Sequence, residues 1–178
     1  MTRLTLIDGR SIDLWRPNPA DVFLSDIANT LAVIPRWGGR AVLPNGEPWT
    51  VGQHSLLVHD TYKSLYPGEP GADWALLHDA HEAYTGDIPT PVKVVIGARQ
   101  VVEVQRKLDD AIRTAFRIEV TSGMLGRVQY CDHAALKIER DALFMGRPSA
   151  YVCPAPRGTV VERFMALVQE YTRHAETV

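Results

Sequence analysis

Cysteine is nearly missing from this chain: there are two, Cys131 and Cys153, in no Cys-x-x-Cys spacing. That excludes a disulfide framework and fits a reducing compartment, with both thiols expected as small core residues. Long apolar runs are missing too. None approaches the roughly 20 residues of a membrane span, and the N-terminus lacks a signal-peptide apolar stretch. Nor is there an excess of one charge: 19 Lys+Arg stand against 21 Asp+Glu, a net −2 with histidine neutral. No basic field exists for a long nucleic acid, although a small phosphorylated ligand stays open. Internal repeats, low-complexity segments, a Walker A loop and a GxGxxG turn are all absent. These absences predict a soluble cytoplasmic protein with neither a membrane nor a long nucleic acid as partner.

What is present is enough for a core. At 178 residues with 46% hydrophobic content, one domain spanning 1–178 can remove about two-thirds of its unfolded surface from water. Arg3–Ile7 and Arg10–Trp15 flank Asp8-Gly9, a hairpin signal. A helix opens at Asn18-Pro19, with Phe23, Ile27, Leu31 and Ile34 at helical period, and ends at Pro35. Residues 40–49 read as a loop or a second hairpin around Asn45-Gly46. Thr50 caps a helix to about Tyr66; another runs from Trp74 to about Tyr84 and stops at Gly86. Pro89 and Pro91 break the segment after Gly86. Amphipathic helices are expected over about 98–116, from Thr121-Ser122 to Phe144, and over 159–174, the last after a Pro-rich loop. The fold class is all-α, a helical bundle with a minor N-terminal β-hairpin.

Few polar residues are forced inward. His78 and Glu82 lie one turn apart beside Trp74, and Asp79 projects next to them between Ala75 and Ala83. Asp132 has Val128 and Leu136 one turn either side, and His54 shares a face with Leu57 and Val58. Singly, each has an ordinary reading as a hydrogen-bonded core residue. Together, two histidines and two carboxylates from three helices can converge on one divalent cation, which offsets the cost of burying them. Imidazole plus carboxylate suits Zn²⁺, Co²⁺, Mn²⁺ or Fe²⁺ without choosing among them. His59-Asp60, off the His54 face, reads as solvated surface. His81-Glu82-Ala83-Tyr84-Thr85 starts like a zinc-protease motif but carries Thr85 where the second histidine belongs. His81, His133 and His59 form no second-metal pattern.

The ordered set Arg36-Trp37, Gln53-His54-Ser55, His78 to Lys93 and Cys131-Asp132-His133 with Glu139-Arg140 resembles the HD-domain metal phosphohydrolases. It is most similar to the small 5′-deoxynucleotidases and their phage-borne triphosphohydrolase relatives. The stretch from His78 through Gly86-Asp87-Ile88-Pro89-Thr90-Pro91-Val92-Lys93 carries most of the likeness. The resemblance implies an HD-domain bundle and metal ligands His54, His78, Asp79 and Asp132. It implies Glu82 and Asp87 as catalytic acid/base groups, and Arg36, Trp37, Pro91 and Lys93 around a deoxynucleotide. The expected chemistry is hydrolysis at the α-phosphorus of a 2′-deoxynucleotide, with one transition metal and additional Mg²⁺ on substrate phosphates. Arg36, Arg40 and Lys93 favour a triphosphate over a monophosphate; a non-catalytic nucleotide-binding module and a cyclic- or alarmone-nucleotide hydrolase are the other readings. A homo-oligomer is expected.

Overall fold

The computed structural model describes residues 2–97 and 99–175, the side chains of residues 174 and 175 excepted; the expected helix start at Ala98 lies outside them. Most of these residues are helical, with one small antiparallel sheet, so the all-α reading with a minor β-hairpin holds. Strands β1 (Arg3–Thr5) and β2 (Ser11–Asp13) pair with Leu4 opposite Ile12, around the expected turn. Ile12 is fully buried, and the Asp26 carboxylate accepts from the Ile7 N–H at 2.8 Å, which pins the hairpin to the helices.

The helices are α1 (Leu24–Leu31), α2 (Val51–Leu65), α3 (Ala72–Leu77), α4 (Glu82–Thr85), α5 (Thr90–Val95), α6 (Arg99–Ala115), α7 (Ser122–Phe144) and α8 (Arg157–Ala175). The central helix α2 packs against α7, α3 and α8. Its start is set by a reciprocal cap: Thr50 Oγ1 accepts from the Gln53 N–H, and Gln53 Oε1 accepts from the Thr50 N–H, satisfying two donors the helix leaves open. Thr121 caps α7 with its own hydroxyl, which accepts from the Met124 N–H. No helix among the described residues is long and apolar enough to cross a membrane.

Three expected boundaries move. The helix from Pro19 is only a 3₁₀ turn, Pro19–Asp21, and Val22 and Phe23 are extended before α1 begins. Asn18 caps this turn by accepting the Ala20 N–H, which secures its start but not its continuation. The single helix expected over 74–84 is broken into α3 and α4. The His78 ring takes the Ala75 carbonyl at 2.9 Å, which a continuing helix would offer to the Asp79 N–H. The turn then tightens through Glu82 N–H to Asp79 and Tyr84 N–H to His81. Pro91 does not break the next segment but sits in the first turn of α5, where a missing N–H costs nothing.

Residues 40–49 form a clip. Bridges pair Val42 with Pro48 and Pro35 with Thr50, and Arg36 N–H donates to the Trp49 carbonyl at 2.9 Å. Ala41, Leu43 and Trp49 are buried, so this hairpin-like loop ties Arg36 and Trp37 to the start of the helix that carries His54.

Two surface assignments are corrected. His59 is buried, not solvated: its ring bridges Asp60 at 3.0 Å and the Tyr171 hydroxyl at 2.8 Å, because α8 covers that side of α2. Cys153 is exposed rather than a core residue, since it lies in the loop before α8; Cys131 is buried as expected.

Candidate metal centre

His54 lies one turn inside α2 and is fully buried. Its Nδ1–H donates to Glu139 Oε1 at 2.6 Å. Its Nε2 stands 3.1 Å from Asp132 Oδ1 and 3.5 Å from Asp79 Oδ2. His78 repeats the pattern from the turn after α3. Its Nδ1–H donates to the Ala75 carbonyl, and its Nε2 lies 3.3 Å from Asp79 Oδ2 and 3.9 Å from Asp132 Oδ1. An imidazole that donates through Nδ1 carries its lone pair on Nε2. Both Nε2 atoms are buried without a hydrogen-bond partner. Neutral rings so held would turn two lone pairs toward two carboxylate oxygens, an arrangement that repels itself unless a proton or a metal cation sits between them. Ligand atoms of His54, His78 and Asp132 all fall within 4.8 Å of one another.

The protonation equilibria register the same demand. Burial and the Arg36 charge oppose an imidazolium at His54, yet Glu139 and Asp132 hold its pKa above the ordinary value. Burial opposes it at His78 too, and Asp79 and Asp132 push it well above. Against burial, the two histidines hold Asp79 and Asp132 below the usual carboxylate range. The sequence-derived quartet is thus brought together from α2, the α3–α4 turn and α7.

Sequence reasoning assigned no role to the residue that orients it. Glu139 is fully buried and accepts from three donors: His54 Nδ1, Trp37 Nε1 at 3.1 Å and Arg36 Nε at 3.3 Å. Burial opposes its ionisation, but His54 and then Arg36 bring its pKa down to about 2. The signal was there: Met124, Val128, Cys131, Ala135 and Glu139 are the buried positions of α7, and a carboxylate ending an apolar stripe needs partners. Arg36 is also buried, and its NH1 reaches Asp79 Oδ2 at 3.4 Å. Trp37 packs edge-on to Phe144 at 5.2 Å and has a left-handed backbone, φ 58°, an uncommon state for a bulky residue. Both residues expected at the substrate are therefore engaged with the protein itself.

Glu82, the first residue of α4, is buried with Oε2 unpartnered. Burial, then Asp79 and Asp87, push its pKa up to about 9 against Arg36 and Lys93. Asp87 is half-buried and also raised, by burial first and then Asp79, with Arg36 opposing. Lys93 donates to Gln105 Oε1 at 3.3 Å, and Pro91 is exposed. His133 is exposed. His81, which the sequence pattern leaves without a role, is buried, with Nδ1–H donating to Asp109 Oδ1 at 2.9 Å across to α6.

No model of a known protein family matches this sequence. It is 40% identical over 114 residues to an uncharacterized protein of Rhodobacter capsulatus, a match covering 62% of this chain and 56% of that protein. The chain thus spans little more than half the length of that relative. It is 31% identical over 140 residues to the uncharacterized protein YfdR of Escherichia coli K12, covering 79% of this chain and 71% of YfdR. On that coverage and identity, the chain belongs to the family of Escherichia coli YfdR.

Proposed function

We propose that this protein is a metal-dependent phosphohydrolase of the HD-domain kind. Its substrate is a 2′-deoxynucleotide cleaved at the α-phosphorus, a triphosphate leaving deoxynucleoside and triphosphate. The observation that supports this most is the pair of buried, unpartnered Nε2 atoms turned toward Asp79 and Asp132. His54, His78, Asp79 and Asp132 fit one divalent ion of the Zn²⁺, Co²⁺, Mn²⁺ or Fe²⁺ type. When bound, such an ion supplies Lewis acidity at a phosphoryl oxygen and a lowered water pKa.

The chain's own residues do the rest. Glu82, with a pKa pushed up to about 9, is protonated at neutral pH and can give a proton to the departing 5′ oxygen. Asp87 is the second proton carrier on that side. Arg36 holds Asp79 and Glu139 with two donors of its fork and keeps others for a phosphate oxygen. A second reading, a deoxynucleoside monophosphate as substrate, is favoured by one observation. Arg36 and Lys93 are already paired within the protein, so fewer cations face the β- and γ-phosphates than the sequence suggests.

Metal analysis and product release from a panel of deoxynucleoside mono- and triphosphates test this. Free triphosphate is the expected product; orthophosphate from monophosphates alone selects the second reading. Silence across the panel with metal bound leaves a nucleotide-binding module and overturns the enzyme. Asp79→Ala should abolish hydrolysis and metal retention together, and near wild-type turnover in that variant would sink the ligand assignment.

A further inference from the structure

The buried positions of α6 are Leu108, Ala111, Ile112 and Gln105, so one amide stands among apolar side chains. Gln105 is 7% exposed. Its Oε1 accepts from Lys93 Nζ at 3.3 Å. An ammonium only donates, so that bond fixes which arm of the amide is the oxygen. The other arm, Nε2, is buried with no partner, and a buried donor left unpaired is costly. One turn further along α6, Asp109 holds His81, so this face of the helix is turned to the α3–α4 turn. The Lys93 charge is felt at both Glu82 and Asp87, where it opposes the upward shift of the carboxyls. The Lys93–Gln105 pair therefore borders the candidate centre. Lys93 is engaged differently from Arg36. Arg36 faces two carboxylates, whereas Lys93 has no carboxylate partner among the described residues and is held by a neutral amide. No residue of α5 is buried, so the bond to Gln105, rather than packing, fixes the ammonium.

We propose that Gln105 is a specificity-determining residue: its free Nε2 donates to a phosphate oxygen beyond the α-phosphate, and so selects a triphosphate over a monophosphate. This rests on the reading of the site as a deoxynucleotide phosphohydrolase. Such a subsite needs donors that bring no negative charge with them. Gln105 supplies an N–H from a buried position and holds the ammonium without neutralising it, and Lys93 keeps two of its three donors. A glutamate at the same place would hold Lys93 as firmly, but it would cancel the charge and turn a carboxylate oxygen toward the phosphates.

The test measures kcat and KM of the metal-loaded full chain for a deoxynucleoside triphosphate and the matching monophosphate. The wild type should show the lower KM for the triphosphate. Gln105→Glu should raise the ratio of triphosphate KM to monophosphate KM by about 10–100-fold, the effect of losing a hydrogen bond to a charged group, and the change should fall in KM rather than kcat. Gln105→Met, close in volume but without a donor, should raise the ratio less, because Lys93 keeps its charge. A merely structural role would lower Tm or kcat and leave the ratio alone. Should Gln105→Glu fail to fold by circular dichroism, the ratio in Gln105→Met decides. Triphosphate hydrolysis with an unchanged ratio in the folded variants overturns the role of Gln105 alone. A wild type that cleaves only monophosphates overturns this subsite and leaves cleavage at the α-phosphorus standing. Inactivity on both brings down the phosphohydrolase, and the subsite with it.

Discussion

Glu139→Gln is nearly isosteric, yet it should damage both stability and metal binding. Three N–H groups converge on the carboxylate, from His54, Arg36 and Trp37. An amide has one oxygen and one NH₂, so either orientation sets donor against donor. With the NH₂ toward His54, the ring must accept through Nδ1 and place its proton on Nε2, facing Asp132 and Asp79, where the lone pair is needed. With the NH₂ toward Arg36 and Trp37, two donors lose their acceptor and a buried guanidinium keeps only Asp79 at 3.4 Å. Removing one partner of a buried ion pair costs about 3–5 kcal/mol. Asp79 compensates in part, so the lower end applies, about 3 kcal/mol. For a chain of this size that lowers Tm by roughly 6–12 °C. Loss of the group that orients a ligating imidazole weakens metal binding by about 10–100-fold. Thermal unfolding of the metal-stripped protein reads the first effect, and Zn²⁺ competition against a chromophoric chelator reads the second. Wild-type values in both would show that Glu139 is a spectator.

Other perturbations isolate other parts. Thr50→Ala removes half of the reciprocal cap on α2 and should cost about 1 kcal/mol by urea denaturation; no change would mean Gln53 alone secures that end. Gly71→Ala should destabilise by at least about 2 kcal/mol. Its φ of +118° disfavours any Cβ, and the added carbon would sit 2.6 Å from the Tyr62 hydroxyl, which bonds the Pro70 carbonyl. Wild-type stability there would contradict that backbone geometry. Asp60 is half-buried, which raises its pKa, but His59 and Arg163 hold it below the ordinary carboxylate value. A depressed carboxyl contributes stability above its unfolded pKa of about 3.9 and loses it as pH falls through the folded value. The Tm gap between wild type and Asp60→Asn should therefore be full at neutral pH and close on acidification; a gap independent of pH would remove the ion pair from the account.

Helical periodicity and caps carried most of the fold. Thr50 and Thr121 were readable because a hydroxyl before an apolar run answers open N–H groups, and α2 and α7 begin where they stand. Of the four candidate ligands, His54 alone occupies a fully buried helical position; His78 and Asp79 lie in the α3–α4 turn and Asp132 at a half-buried position of α7, so the inward helical face expected of them holds only in part. What escaped were contacts between distant segments. Nothing in the spacing of His59 says that α8 will cover it with Tyr171. Nothing near His81 names Asp109, 28 residues on. The break at His78 is hidden as well, because local period predicts a continuous helix, whereas the ring's bond to the Ala75 carbonyl and the tightened turn that follows belong to the folded chain.

The 40–49 clip is closed at its base, by the Pro35–Thr50 bridge and the Arg36–Trp49 bond, while its tip at Asn45-Gly46 is exposed. Doubling the length of such a loop adds only about 0.6 kcal/mol of closure entropy. The tip can therefore lengthen, shorten or exchange residues over evolutionary time without dislodging Arg36 or the His54 helix. Two tasks are in this way uncoupled along the chain, one segment free to vary and its anchor held in place.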